Sequence, residues 1–139
     1  MTRDDIVREA RACLGTRFRH QGRMRAQGLD CVGLLVWVAR RLGHRVQDCI
    51  HYDRRPAHGM LEAHLENSKL IPVPLEDLEH GDIALFCFFG PPQHVAVIAR
   101  RDREFTMIHA YLTARKVVEH HMDDVWRNRL IKAYRFPGV

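Results

Sequence analysis

Hydrophobic residues near the N-terminus recur with the period of a helix. From Asp4 to Leu14 they stand at positions 6, 7, 10, 13 and 14, and this spacing brings them onto one helical face. Gly15 ends the pattern, as glycine commonly does just beyond a helix. Residues 16–28 are polar and rich in arginine, and they predict an irregular loop.

The next apolar run has no polar side. In the segment from Cys31 to Leu42, "CVGLLVWVARRL", hydrophobic residues lie on almost every face of a helical projection, so we expect a helix buried in the middle of the fold. Gly43 ends this helix, and Gly33 inside it would let another backbone or a substrate approach closely. A further helix is predicted over residues 56–69.

Beyond Pro74 the hydrophobic pattern changes to short runs separated by turn-forming and charged segments. The runs are "IALFCFF", "HVAVIA", "FTMIHAY", "KVVEH" and "LIKAYRF". Such a series predicts an antiparallel meander, with a helical turn over 123–129. Because the helices come first and the strands second, the sequence predicts an α+β fold, and its length fits a single domain over 1–139.

The overall composition narrows the class of protein. Hydrophobic residues make up 46% of the chain and charged residues 28%, which is typical of a soluble globular domain. No apolar stretch approaches the roughly 18 residues of a membrane span, and the charged N-terminus lacks the apolar region of a secretory signal. We therefore expect no membrane partner, and synthesis in the cytoplasm with no export route of its own.

Positive charge is concentrated in the first part of the chain. The net charge is +5, and residues 1–55 carry 12 arginines against 6 acidic residues. Such a region is compatible with a nucleic acid, with a small acidic substrate, or with a solvated surface that binds nothing. The sequence contains no helix-turn-helix, zinc or aromatic-platform signal, so we expect no nucleic-acid partner.

One of the four cysteines has unusual neighbours. Cys31 follows Asp30, a good N-cap residue, and so occupies the first position of the buried helix, where the helix dipole favours a thiolate. This arrangement can make a nucleophile. It is equally compatible with a buried structural thiol behind an ordinary cap. No C-x-x-C pair is present, and reduced thiols are expected.

A nucleophilic cysteine needs a base, and two histidines fall on strands that a hairpin would join. If Phe105 pairs with Arg100, His94 lies one diagonal step from His109 on the same face. In a tighter turn His94 faces His109 directly, and either register brings both imidazoles within cross-strand reach. One histidine would act as base and the other would orient it. Since tight Cys/His pairs are lacking, we expect no metal and no cofactor.

With these residues in place, the sequence resembles the NlpC-type papain-like cell-wall peptidases over roughly residues 5–135. The matching landmarks follow the family's order: "LGTRFRHQG", "GLDCVGLL", "HGDIALF", "HVAVIA" and "MIHAY". The opening "RHQGR" and the close "VVEH…W…AYRFPG" are most similar to a branch associated with bacteriophage tails and prophages.

The resemblance implies a papain-like fold and hydrolysis of amide bonds in peptidoglycan stem peptides. Cys31 would be the nucleophile, His94 the general base and His109 its orienting residue. Asp30 would help to hold a substrate amine, and Phe18 and Val32 would also line the substrate site. The last two depart from the family's usual Tyr and Ser.

Those departures remove two hydroxyl groups, which bears on substrate preference and on the rate, because one oxyanion donor contributes about 3 kcal/mol. The resemblance also implies phage tail proteins as partners and delivery to the cell wall by a tail or by lysis. We further expect Arg17, Arg19 and Arg23 to meet stem-peptide carboxylates.

Two other functions remain open. One is a tail-assembly module that kept the fold without useful turnover, since a shared fold does not guarantee shared chemistry. The other is acyl transfer to a lipid by the same nucleophile, for which the sequence offers no membrane-binding segment.

Overall fold

A computed structural model describes residues 1–52, 59–88 and 94–139. Its helices are α1 (Arg3–Arg11), α2 (Cys31–Arg41), α3 (Met60–Asn67) and α4 (Asp124–Arg127), with a 3-10 turn over Leu75–Asp77. These elements confirm the helical predictions, except that positions 56–58 of the predicted 56–69 helix lie outside the described residues. Within the described ranges, no helix is both long enough and apolar enough to cross a lipid bilayer.

The strands form one six-stranded antiparallel sheet and one small hairpin. They are β1 (Arg23–Met24), β2 (Gly28–Leu29), β3 (Ile71–Val73), β4 (Ile83–Phe86), β5 (His94–Arg101), β6 (Glu104–Tyr111), β7 (Lys116–His121) and β8 (Leu130–Arg135). The sheet order is β3-β8-β4-β5-β6-β7, and β1 pairs with β2 apart from it.

Two sequence predictions need correction here. The meander holds only from β4 to β7, because β8 returns to the far side of β4 and separates it from β3. The segment 16–28 is not wholly irregular, since Arg23 pairs with Leu29 and Met24 with Gly28. Strands of two residues are too short to produce a period-2 pattern, so hydrophobicity alone does not reveal them.

The β5–β6 turn has the wider of the two predicted registers. Arg100 pairs with Phe105, and Arg101 pairs with Glu104 across a two-residue loop. Both loop residues have positive φ, 51° at Asp102 and 78° at Arg103, which is the backbone of a type I′ hairpin turn. His94 therefore falls diagonally from His109, on the same face of the sheet.

Both faces of the central strands are covered, each by its own core. On one face α1 and α2 pack against β5 and β6 through side chains such as Ile6, Leu34, Val97 and Ile108. On the other face a smaller core gathers Phe86, Ile98, Met107, Met122 and Trp126. Burial on both faces explains why "HVAVIA" shows no alternation of polar and apolar residues.

Close backbone contacts hold the β1–β2 hairpin against the start of α2. A Cβ added at Gly33 would lie 1.8 Å from the carbonyl oxygen of Gly22, and one added at Gly22 would lie 2.3 Å from that of Gly28. No side chain fits at either distance. The glycine inside the helix is thus explained by the approach of another backbone segment.

Candidate active site

Cys31 is the first residue of α2, as predicted, and Asp30 is its N-cap. The Asp30 carboxylate accepts a hydrogen bond from the Gly33 N–H at 2.8 Å. The Cys31 thiol is half-buried, and the backbone N–H groups of Val95 and Val32 lie near enough to favour its charged form. The nucleophile candidate therefore meets the first residues of β5, where His94 lies.

The resting charge of Cys31 differs from the sequence prediction. Burial, followed by the negative charge of Asp30, raises the pKa of the Cys31 thiol to about 12, although the two N–H groups and Arg23 act in the opposite direction. The helix end therefore does not produce a standing thiolate. At neutral pH the thiol holds its proton and needs a base to remove it.

Asp30 is buried, with 3% of its surface exposed, and accepts four hydrogen bonds. Gly33 N–H and the Arg23 guanidinium, at 2.8 and 3.1 Å, donate to Oδ1. Gln21 N–H and the Tyr52 hydroxyl, at 2.8 and 2.5 Å, donate to Oδ2. Because these donors use the acceptor sites of a carboxylate, a substrate amine would have to displace one of them to bind Asp30.

Arg23 belongs to this buried network rather than to a solvent-facing basic surface. Its guanidinium donates to Asp48 at 2.8 Å as well as to Asp30, and Asp48 also contacts His64 at 2.9 Å. Arg17 and Arg19 are exposed, as a substrate-facing cation has to be. Of the three arginines predicted to meet substrate, Arg23 already has two carboxylate partners, the buried Asp30 and the half-buried Asp48.

The two predicted histidines are joined by a hydrogen bond. His94 Nε2 lies 2.6 Å from His109 Nδ1, and both side chains are buried. The line continues beyond the prediction, because His109 Nε2 lies 2.8 Å from His120 Nε2 on β7. His120 Nδ1 lies 2.9 Å from the carbonyl oxygen of His121. We call His94, His109 and His120 the histidine line.

An aromatic wall covers the histidine line. The Trp126 ring on α4 lies 5.9 Å from the ring of His94, 5.2 Å from that of His109 and 5.8 Å from that of His120, between centroids. Tyr111 stacks on His109 at 5.0 Å. These rings exclude water from the imidazoles and restrict their rotation.

Burial keeps His94 and His109 neutral. Burial, with a smaller effect of His120, lowers the pKa of His94 to about 3. Burial, followed by the proximity of His94 and His120, lowers the pKa of His109 to about 2. At neutral pH both imidazoles are therefore uncharged, and each has one nitrogen with a lone pair that can accept a hydrogen bond.

A comparison with protein families matches residues 15–135 to the NlpC/P60 family. The chain belongs to the NlpC/P60 family. A comparison with curated protein sequences gives no match.

Solved structures of NlpC/P60 proteins share the fold. An NlpC/P60 protein from Bacillus cereus superposes with a TM-score of 0.75 at 21% identity, over 98% of this chain and 40% of that one. The NlpC/p60 domain of the peptidoglycan hydrolase SagA gives 0.69 at 20% identity, over 98% and 100%. The peptidoglycan hydrolase RipB from Mycobacterium tuberculosis gives 0.63 at 17% identity, over 96% and 63%.

These superpositions confirm the α+β papain-like fold, with the cysteine-bearing helix packed on an antiparallel sheet. They also show that this chain spans 40% of the length of the Bacillus cereus protein, although it matches the whole SagA domain.

The two positions predicted to depart from the family's usual residues, Phe18 and Val32, lie in packed surroundings. Val32 is 2% exposed and contributes to the main core. Phe18 is half-buried, packs against the same core, and its N–H donates to the Arg115 carbonyl at 2.8 Å. The nearby hydroxyl of Tyr52 is bonded to Asp30. Substrate contact by Phe18 and Val32 stays a prediction.

Sequence reasoning did not select His120, Trp126 or Tyr52 as parts of this NlpC/P60 site. His120 was recoverable, because pairing Tyr111 with Lys116 across the β6–β7 turn brings Met107 opposite His120 and leaves His109 one diagonal step away. No local pattern places Trp126 or Tyr52, since both reach the site through packing between distant segments. Among the described residues, no group of three His, Cys, Asp or Glu side chains has the geometry of a metal site.

Proposed function

We propose that this chain is a cysteine peptidase that hydrolyses amide bonds in the stem peptides of peptidoglycan. The observation that carries the proposal is the 2.6 Å hydrogen bond between His94 Nε2 and His109 Nδ1. The residue after His94, Val95, lies near the Cys31 thiol at the start of α2. The hydrogen bond orients a neutral imidazole and leaves its other nitrogen for the thiol proton. Membership of the NlpC/P60 family and the SagA and RipB likenesses support the substrate class.

The reaction begins from a neutral pair. His94 takes the proton of Cys31 as the sulfur attacks the carbonyl carbon of a peptide amide, so that charge separates only as the bond forms. Backbone N–H groups at the start of α2, such as that of Val32, would stabilise the oxyanion.

Collapse of the tetrahedral intermediate completes the first half of the reaction. The imidazolium of His94 protonates the leaving amine, and a thioester remains on Cys31. His94 then removes a proton from water, the hydroxide attacks the thioester carbonyl, and the thiol leaves with its proton restored. His109 accepts the Nε2–H of His94 throughout and stabilises its transient positive charge.

Digestion of purified peptidoglycan tests this function. Wild type and Cys31→Ala are incubated with purified peptidoglycan and with short stem peptides, and the products are identified by mass spectrometry. We expect new amine termini with wild type and none with Cys31→Ala. Cleavage that persists in Cys31→Ala would reject the assigned nucleophile, and absence of cleavage by wild type would reject the function.

We also propose association with a phage or prophage tail, supported by the sequence resemblance to that branch. The exposed Arg17 and Arg19 would meet stem-peptide carboxylates. Charge reversal at these two positions should raise KM without lowering kcat, and an unchanged KM would count against the contact. Co-purification with tail particles from an induced lysogen tests the association, and recovery only in the particle-free fraction would reject it.

The second candidate is a tail-assembly module without turnover. The raised pKa of Cys31 and the loss of hydroxyls at Phe18 and Val32 favour it. Iodoacetamide separates the two functions, because a thiol beside a working base should react near neutral pH much faster than Cys13, Cys49 and Cys87. Equal or slower labelling of Cys31, together with no cleavage, would support the module.

A further inference from the structure

The histidine line ends at a group that can only accept a hydrogen bond. His120 Nδ1 lies 2.9 Å from the backbone carbonyl oxygen of His121. A carbonyl has no proton to donate, so His120 Nδ1 must carry the hydrogen. An imidazole that carries a single N–H has its lone pair on the other nitrogen, and in that form of the ring His120 Nε2 is an acceptor.

That assignment passes along the line. His109 Nε2 lies 2.8 Å from the acceptor nitrogen of His120 and so must donate its hydrogen. His109 Nδ1 is then a lone pair, and His94 Nε2, at 2.6 Å from it, must donate in turn. His94 is left with its lone pair on Nδ1. With one hydrogen on each ring, every bond in the line has a single consistent direction, which starts from the His121 carbonyl.

From this geometry we propose that His120 is a positioning residue, which fixes the tautomers of His109 and His94 so that Nδ1 of His94 is the proton acceptor. The proposal rests on the proposed peptidase function for its catalytic consequence, but the tautomers themselves do not depend on turnover. It adds a fourth residue beyond the predicted Cys31, His94 and His109.

The reason for such a residue lies in the symmetry of an isolated pair of imidazoles. Two neutral histidines joined by one hydrogen bond can reverse its direction, with His109 donating from Nδ1 and His94 accepting at Nε2. In the reversed state His94 carries its hydrogen on Nδ1 and has no free nitrogen for the thiol. The His120 acceptor disfavours that state, because reversal would leave the buried His109 Nε2 and His120 Nε2 as two facing acceptors.

The surroundings hold His120 in this role. Its ring packs on Trp126 at 5.8 Å and on His109 at 4.9 Å between centroids. The neighbouring His121 points to the opposite face, where it lies 3.5 Å from Glu104. His121 contributes only its carbonyl to the line, so its side chain provides a matched control.

The decisive measurement is the protonation state of each ring nitrogen. In the ¹⁵N-labelled full chain at neutral pH, long-range ¹H–¹⁵N correlation separates protonated from lone-pair nitrogens, and single substitutions assign the rings. We expect hydrogen on Nε2 of His94, Nε2 of His109 and Nδ1 of His120. Hydrogen on Nδ1 of His94 in the wild type would overturn the proposal.

Three variants test the cause. His120→Phe keeps a ring against Trp126 but removes the acceptor, and we expect His94 to show a mixture of both tautomers. His120→Gln can accept from His109 and donate to the His121 carbonyl, and should restore the wild-type pattern. His121→Ala keeps the carbonyl and should leave the pattern unchanged. Wild-type tautomers in a folded His120→Phe would overturn the proposal.

Kinetics supply the second readout. We expect His120→Phe to lower kcat by about tenfold to a hundredfold, the range of one lost buried hydrogen bond, with little change in KM. His120→Gln should recover most of that loss. A fall confined to KM, or no recovery by Gln, would overturn the positioning role. An inactive wild type with the expected tautomers would reject the peptidase and uphold the tautomer assignment.

Discussion

Two polar clusters lie near Cys31, the network around Asp30 and the histidine line, and they offset the desolvation of their polar groups in different ways. Around Asp30 the central group is charged, and four donors converge on its carboxylate. Along the histidine line His94 and His109 are neutral, and each ring makes one bond to the next. Saturation of a charge fixes where atoms lie. A directed line of neutral groups also fixes where protons lie, which a base requires.

The strongest test of this difference removes a member of the neutral line. His94→Ala should lower kcat by at least about 10⁴-fold, because the thiol loses its base. Its free energy of unfolding should fall by only about 1–3 kcal/mol, since one buried acceptor on His109 is left unpaired. Stem-peptide cleavage and urea denaturation measure the two effects. Substantial remaining activity would mean that another group accepts the thiol proton.

Removing Asp30, the charged centre of the other cluster, should instead lower stability. We call Asp30 and its four donors the Asp30 hub. Asp30→Ala deletes the N-cap of α2 and leaves the buried Arg23 without one carboxylate, and we expect a loss of about 3–5 kcal/mol in the free energy of unfolding. Asp30→Asn keeps a capping oxygen and should lose less. Urea denaturation of both variants provides the comparison. Equal losses in the two would show that charge contributes nothing beyond the cap.

The neutral line also predicts how stability depends on pH. The pKa values of His94 and His109 fall to about 3 and about 2 in the fold, below the ordinary value of about 6.5. Between the folded and the ordinary pKa values, the unfolded chain binds more protons than the folded chain. The contribution of the two neutral histidines to stability is therefore fully present above pH 6.5 and declines as the pH falls. At pH 5 each histidine should cost about 2 kcal/mol.

The comparison is made by chemical denaturation at pH 7 and pH 5. His109→Gln, which cannot titrate, should reduce the pH dependence, while His121→Gln at an exposed position should not. The interval stays above the ordinary pKa values of carboxylates, near 4, so that Asp and Glu contribute little. Equal slopes in wild type and His109→Gln would show that the line is not neutral.

The smallest expected loss of stability comes from removing one of the four donors to Asp30. Tyr52→Phe removes the hydroxyl that donates to Asp30 Oδ2, while Gln21, Arg23 and Gly33 continue to donate. We expect a loss of about 1 kcal/mol in the free energy of unfolding, the contribution of one hydrogen bond within a satisfied set. Thermal or urea denaturation measures it. A loss near that of Asp30→Ala would show that the Asp30 hub depends on this one bond.

The accuracy of the sequence predictions depends on how far apart along the chain the interacting residues lie. The helix from Cys31 and the β5–β6 hairpin depend on local periodicity and turn length, and the prediction of both was correct. The insertion of β8 beside β4 depends on a pairing between distant segments, and the resulting order was missed. The sequence placed the helix dipole at Cys31, but it did not show the burial that outweighs this dipole and raises the pKa of the thiol.

The indole of Trp126 gives the histidine line an optical reporter. Its ring lies within 6 Å of all three imidazoles between centroids. An excited indole transfers an electron readily to an adjacent imidazolium and only slowly to a neutral imidazole. The fluorescence of Trp126 should therefore decrease when an imidazole of the histidine line is protonated. The chain has two tryptophans, so Trp37→Phe leaves Trp126 as the single indole, and acidification toward the low pKa values of His94 and His109 should quench its fluorescence.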